Sequence, residues 1–261
     1  MRNGGIVNAW RDWLGLARSL VIYQRPGRQR QLRRLYRAFV AHGDLVFDVG
    51  AHVGDRTRAF HALGARVVAL EPQPAVRRWL CRFTRFLPRV TVRPEALGAT
   101  PGEATLATSP GHPSIASMSA AWRTAVTSGN PGFRGVVWSR GTSVPVTTLD
   151  ALIAQYGEPA FCKIDVEGYE REVLAGLSRP LPALSFEFVA GSLDDARQCL
   201  TQLQALGHYQ FNVVPGEQRR FLWSHWHSAS AVDHWLADGA GRHPSGDVYA
   251  RRDGFADFRT G

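Results

Sequence analysis

From Asp44 onward, short apolar runs alternate with longer stretches of helical period, and this alternation constrains the fold more than any other feature of the chain. A period of two marks strands and a period near 3.6 marks helices. Where the two take turns along a chain, strands pair in parallel and helices cover both faces of the sheet. Strands are predicted at residues 45–49, 66–70, 90–94, 161–165, 183–188, 209–213 and 247–251. Helices are predicted between them at about 53–63, 74–86, 169–177 and 194–206. The expectation is an α/β domain with a mostly parallel central sheet and helices on both faces. Right-handed crossovers then bring the carboxyl ends of the first, second and fourth strands to one rim, where open sheets of this kind bind ligands.

Two segments stand outside the alternation. Residues 1–42 read as a helical N-terminal extension, with Trp10, Trp13, Leu14 and Leu20 on an apolar face and a break at Pro26 and Gly27. An arginine-rich run follows (Arg25, Arg28, Arg30, Arg33, Arg34 and Arg37), whose apolar neighbours Leu32, Leu35, Tyr36 and Phe39 recur at roughly helical spacing. It reads as a solvated basic face above an apolar stripe. Residues 43–261 then form the main domain, interrupted at about 100–146 by a stretch rich in Gly, Pro, Ser and Thr. That stretch lies above the expected rim and reads as a substrate-side insertion, with 114–119 as a loop able to close over a ligand and 129–135 as a turn. Ser114 and Ser117 are its candidate substrate contacts.

The formal net charge of +9 is carried almost wholly by arginine, because Lys163 is the single lysine. A basic balance fits an anionic partner without identifying one. Cys81, Cys162 and Cys199 are far apart and lack ligand spacing, which fits reduced thiols. No apolar run is long enough to span a bilayer, and Arg11 and Asp12 interrupt the N-terminal one. A cytoplasmic protein without stable membrane insertion is expected; the oligomeric state is left open.

At the first strand, Leu45 to Val49 run into Gly50, Ala51, His52, Val53 and Gly54 before a helix opens. Glycine at this turn lets backbone approach a ligand closely and presents amide donors at a helix N-terminus. Glu71 follows the second strand, 21 positions after Gly50, where an acid accepts the ribose hydroxyls of an adenosine. Two cofactor classes share that geometry. A nicotinamide or flavin site favours the tighter Gly-x-Gly-x-x-Gly, and no pyrophosphate cradle is evident, so S-adenosyl-L-methionine is favoured.

The fourth strand ends in Lys163, Ile164, Asp165, Val166, Glu167, Gly168, Tyr169 and Glu170. Four ionisable residues at a strand end are costly unless solvated or employed. Alternation puts Lys163 and Asp165 on one side, and Gly168 permits the turn into the next helix. Asp165 is a candidate to hold the cofactor's amino group or to orient the nucleophile, Glu167 a candidate substrate contact, and a structural ion pair at Lys163 stands beside these readings.

These residues resemble the FkbM-type methyltransferases. Asp48 to Thr57 looks like that family's Asp-x-Gly-Ala-Asn-x-Gly-x-x-Thr loop, Glu71 and Pro72 match its acidic-proline pair, and Lys163 to Glu170 is similar to its most specific signature. The stretch Ala96, Leu97 and Gly98 resembles its adenine side, and Glu187 stands where the family has an acid at the end of the fifth strand. His52 departs from the family's usual asparagine. The resemblance implies a Rossmann-like class I methyltransferase fold and an S-adenosylmethionine-dependent enzyme acting commonly on hydroxyls of natural products or saccharides. It implies cofactor contacts at Asp48, Gly50, Ala51, His52, Val53, Gly54, Thr57, Glu71, Pro72, Ala96 and Asp165.

An alcohol needs a general base to lose its proton during attack. Asp165 and Glu187 are the candidates, with Lys163 either tuning their charge or, if burial lowers its pKa, acting as the base. A divalent ion bridging Asp165 and Glu187 to vicinal hydroxyls is conceivable, but two acids are thin support, so no metal ligand is assigned and metal dependence stays open; His225, His227 and His234 lack a completing ligand among the interleaved Trp223, Trp226 and Trp235. Two rivals remain, a nicotinamide-dependent oxidoreductase and a basic nucleic-acid-binding protein. The missing pyrophosphate loop opposes the first; the lack of an aromatic-basic RNA signature or zinc module opposes the second, so no nucleic-acid partner is expected.

Overall fold

The computed structural model describes residues 27–109, 112–139 and 141–255, so the Trp10, Trp13, Leu14 and Leu20 face lies outside the described residues. In chain order the strands are β1 (Leu45–Val49), β2 (Arg66–Leu70), β3 (Val90–Arg93), β4 (Ala96–Leu97), β5 (Gly102–Ser109), β6 (His112–Ser117), β7 (Thr142–Thr147), β8 (Phe161–Ile164), β9 (Ala183–Val189), β10 (Tyr209–Pro215) and β11 (Ser245–Arg252). The helices are α1 (Arg28–Tyr36), α2 (Asp55–Ala62), α3 (Pro74–Thr84), α4 (Ala120–Gly129), α5 (Leu149–Tyr156), α6 (Glu170–Ala175), α7 (Leu193–Leu206) and α8 (Ala229–Ala237).

Seven strands form the main sheet in the order β10-β11-β9-β8-β1-β2-β3. All pairs are parallel except those of β11, which runs antiparallel to both β9 and β10. The expected α/β sheet is therefore observed, with a single reversed strand. β1 and β8 are buried throughout, as a strand covered by helices on both faces must be. On one face Val46, Val67, Phe161 and Ala183 pack with Leu32, Leu35, Tyr36 and Phe39 from the α1 region and with Phe60 of α2. On the other, Phe47, Val68, Ile164 and Phe186 pack with Leu152 of α5, Val173 of α6, Leu200 of α7 and Val232 of α8. Helices α5 and α8 were not anticipated from the sequence, although Thr148 and Ser228 cap them by accepting from Ala151 N–H and Ala231 N–H.

The segment expected to be loop and turn is largely regular. β4, β7, β5 and β6 form a second sheet in that order, so residues 114–117 of the expected loop belong to a strand, and only 118 and 119 lie outside it. The turn expected at 129–135 is the end of α4 and a short 3-10 helix at Pro131–Phe133. Four short strands pair mainly with one another there, and no long apolar period announces them.

α1 is tied to the first helix of the domain by charge as well as by packing. Arg28 Nε lies 2.5 Å from Asp55 Oδ2 with both side chains buried, and Arg28 also meets Glu217 at 3.1 Å. Arg30, Arg34 and Arg37 are exposed, as the expected solvated face requires, and Arg33 is half-buried; Arg25 lies outside the described residues. Removing Asp55 takes away a buried partner of Arg28 and leaves it with the exposed Glu217. Asp55→Ala is therefore expected to lower stability by roughly 3 kcal/mol, read as a shift of the urea midpoint without change of slope.

Candidate active site

The sheet order reverses between β1 and β8, and their carboxyl ends part to form a cleft of ≈ 1270 Å³, solvent space at its mouth included. The loop after β1 crosses within touching distance of the β8 loop. Gly50 has φ 76, and a Cβ there would sit 1.8 Å from the Asp165 carbonyl oxygen. No other residue fits that crossing. Asp165 N–H donates to Val49 O at 3.0 Å, which fixes the two loops against each other.

Glu71, at the end of β2, is 4% exposed, and its carboxylate is aimed by two backbone donors. His52 N–H reaches Oε2 and Gln73 N–H reaches Oε1, each at 2.9 Å. Burial raises its pKa to about 7 despite those bonds. Beyond it the cleft is lined by Pro72, Ala96, Leu97, Leu106, Ala116 and Met118, an apolar wall that combines the main sheet's rim with the second sheet. Gly50, Ala51, His52 and Val53 line the opposite side. Desolvation lowers the His52 pKa to about 4, so its ring is neutral near pH 7.

Three expected cofactor residues are brought to the loop without lining the cleft. Thr57 Oγ1 donates to Asp48 Oδ2 at 2.5 Å, and both are buried, so this pair braces the start of α2 against β1. Gly54 makes room for Leu80, whose Cδ1 would lie 2.7 Å from a Cβ at that position. Glu170 plays a similar part in the second motif: its Oε1 accepts from Val166 N–H at 3.0 Å, and burial raises its pKa to about 7.

Lys163 is fully buried and does not reach the cleft. Its ammonium donates to Asp247 Oδ1 at 2.9 Å, to Asp165 Oδ2 at 3.2 Å and to the Ile164 carbonyl at 3.3 Å. Burial opposes the charge, yet the flanking carboxylates outweigh it and hold the pKa above the ordinary lysine value. The side chain therefore stays cationic, which removes it as a base and leaves it as the group that tunes Asp165. Asp165 is held below the usual carboxylate range, burial notwithstanding, by Lys163 first and Arg56 next.

Glu167 and Glu187 share the cleft with Asp165, and their carboxylate oxygens lie within 4.8 Å of one another. Such a triad has the donor chemistry to hold a divalent cation. Desolvation first and the neighbouring carboxylates second push both glutamates well above the ordinary range. Glu187 Oε2 is buried without a hydrogen-bond partner. Glu167 has φ 51, an uncommon backbone region for a non-glycine residue, followed by Gly168 at φ 85. A Cβ at Gly168 would meet the Trp122 ring at 2.0 Å, so α4 packs directly on this turn.

The insertion's serines are placed differently. Ser117 is buried and its Oγ accepts from Ser119 N–H at 3.0 Å, while its neighbours Ala116 and Met118 line the cleft. The side chain of Ser114 lies outside the described residues. Trp223 and Trp235 pack with Phe188, and Trp226 with Phe39 and Phe221; none of the three lines the cleft. Sequence reasoning missed Arg56, Glu217 and Asp247, which do line it. Arg56 follows the glycine loop directly, and Asp247 was seen as a strand residue; nothing local marks Glu217.

Among known proteins, a family model described as the methyltransferase FkbM domain matches residues 48–237. No curated protein matches the sequence. One similar solved structure is precorrin-6y C5,15-methyltransferase from Geobacter metallireducens, at 12% identity and TM-score 0.45 over 84% of this chain and 86% of that one. A second is an S-adenosylmethionine-dependent O-methyltransferase from Thermotoga maritima, at 11% and 0.41 over 87% and 65%. A third is a TehB-like S-adenosylmethionine-dependent methyltransferase from Corynebacterium glutamicum, at 10% and 0.44 over 85% and 88%. At these identities no substrate transfers from any of them.

Lys163→Met strips the ammonium from Asp165 and Asp247, and an expected cost of about 3–5 kcal/mol would appear in urea unfolding at pH 7.5. In the wild type the depressed Asp165 pKa contributes stability above the ordinary aspartate value, and that contribution is lost as pH falls through the lower folded value. The difference between the two proteins should therefore begin to shrink only as pH falls below about 4, and shrink further toward the lower folded value.

Proposed function

This chain belongs to the FkbM methyltransferase family and is an S-adenosylmethionine-dependent methyltransferase, and on that premise we propose that it methylates a hydroxyl of a small natural product or a saccharide. The residues of the cleft fit the cofactor. Glu71 offers a carboxylate at the ribose position, the apolar wall around Leu97 and Met118 suits a purine, and Asp165 offers an anion for an amino group. Bound there, the cofactor supplies an electrophilic methyl group on a sulfonium centre. Gly50, Ala51, His52 and Val53 form the wall at the amino-acid end, with Asp48, Gly54 and Thr57 shaping that wall from behind.

One observation carries the choice of a hydroxyl. Glu187 brings into the cleft a buried carboxylate oxygen with no hydrogen-bond partner and a pKa held well above the usual range. A raised pKa makes a carboxylate a better acceptor for an alcohol's proton, whereas Asp165, ion-paired to Lys163, is a poor one. Glu187 is thus assigned as the general base. Glu167, beside it, is assigned to the acceptor, where a carboxylate can accept from a second hydroxyl. Among the described residues no helix is long and apolar enough to cross a membrane.

Calorimetry with S-adenosylhomocysteine tests the cofactor site. Glu71→Ala is expected to weaken binding roughly tenfold or more. Because Glu71 titrates at about 7 and accepts ribose hydroxyls best when ionised, wild-type affinity should rise nearly tenfold between about pH 6 and pH 8. Glu71→Gln should flatten that profile; an unchanged slope would locate the titration elsewhere. A radiolabelled methyl-transfer screen over alcohol and amine acceptors tests the chemistry. With an alcohol acceptor, Glu187→Gln should lower kcat by roughly 10² to 10⁴ and leave cofactor affinity unchanged. Turnover of amines alone, insensitive to Glu187, would refute O-methylation.

A further inference from the structure

The charges on the cleft wall are lopsided. Its described lining includes the acids Asp165, Glu167, Glu187, Glu217 and Asp247 at the end away from Glu71, and Arg56 is the one cation there, His52 being neutral. A ligand that brings a carboxylate into this cleft has a single side-chain cation to meet it. Everywhere else along that end it would face like charge.

Arg56 is poised for that task. It is the second residue of α2, directly after the Gly50–Gly54 turn, and its side chain is 20% exposed. The Nε atom is buried without a hydrogen-bond partner. Its nearest acid, Asp247, stands at 4.0 Å through Oδ2, too far for a hydrogen bond, while the other oxygen of Asp247 is engaged by Lys163 at 2.9 Å. A guanidinium presents a planar fork of donors matched to a carboxylate, and leaving it unengaged in a partly buried site is costly. Asp165, Asp247 and Glu217 surround it closely enough to keep it charged.

We infer that Arg56 anchors the carboxylate of the cofactor's amino-acid end, with Asp165 opposite it receiving the amino group, so that the pair reads the zwitterion. The inference rests on the cofactor assignment above. Arg56 lies on the loop side of the cleft, next to the glycine turn that would receive the cofactor, and this adjacency favours the cofactor over an acceptor as the source of the carboxylate. The residue is absent from the sequence motif because it occupies one of the motif's unspecified positions.

The test compares three ligands by calorimetry on the full chain: S-adenosylhomocysteine, its decarboxylated analogue S-adenosyl-3-thiopropylamine, and 5′-methylthioadenosine, which lacks the whole amino-acid end. Wild type should prefer S-adenosylhomocysteine over the decarboxylated analogue by roughly tenfold or more. Arg56→Met should abolish that preference while binding the decarboxylated analogue and methylthioadenosine as well as wild type does, which also shows that the variant is folded. Arg56→Lys should restore part of the preference. If Arg56→Met keeps the full preference, the cofactor carboxylate is held elsewhere and the inference is overturned; a raised KM for carboxylate-bearing acceptors alone would then place Arg56 on the acceptor. If folded wild type binds none of the three ligands, the cofactor site itself is wrong and the inference falls with it.

Discussion

The Lys163 ammonium, fully buried on β8, holds together two of the acidic groups that line the cleft. It engages Asp165 at the end of that strand and Asp247 on the reversed strand β11, across the intervening β9. An unpaired ammonium could not persist at zero exposure. With the cation in place, Asp165 stays anionic. Glu167 and Glu187, a few ångströms away and without such a partner, are driven the other way. Similar carboxyl groups thus acquire different proton affinities from their surroundings.

The crossing of the β1 and β8 loops is the geometric counterpart of that electrostatic arrangement. Gly50 lets the first loop lie against the Asp165 carbonyl, so the β1 and β8 sides of the cleft are fixed to each other through backbone rather than through flexible side chains. The insertion is joined to the same place by Trp122 over Gly168, and it completes the apolar wall with Leu106, Ala116 and Met118. The two named motifs thus contain two kinds of residue. Glu71 and Asp165 face the cleft; Asp48, Thr57 and Glu170 hold the loops in shape.

How much was legible in the chain follows from where each signal is stored. β1 and β2 run over Leu45–Val49 and Arg66–Leu70, the residues expected, because a strand buried on both faces writes its own apolar run. The second sheet was missed because β5, β6 and β7 are partly exposed and rich in Ser and Thr, so their regularity comes from pairing with one another. Helix α8 lay hidden among tryptophans and histidines whose aromatic faces turned out to be packing surfaces.

The same division applies to the site. By itself the sequence determined the parallel α/β sheet, the glycine turn, the acid after β2 and the charged end of β8, since each depends on residues within a few positions of one another. Only the tertiary structure decided which charges meet. Lys163 and Asp247 are 84 residues apart, and Arg28 reaches Asp55 across 27. Arg56 comes near Asp247 of β11 and Glu217 of the loop after β10 only through the fold, since both lie more than 150 residues further along the chain. Coulomb energy depends on distance and burial in space, and neither quantity is written in the local order of the chain.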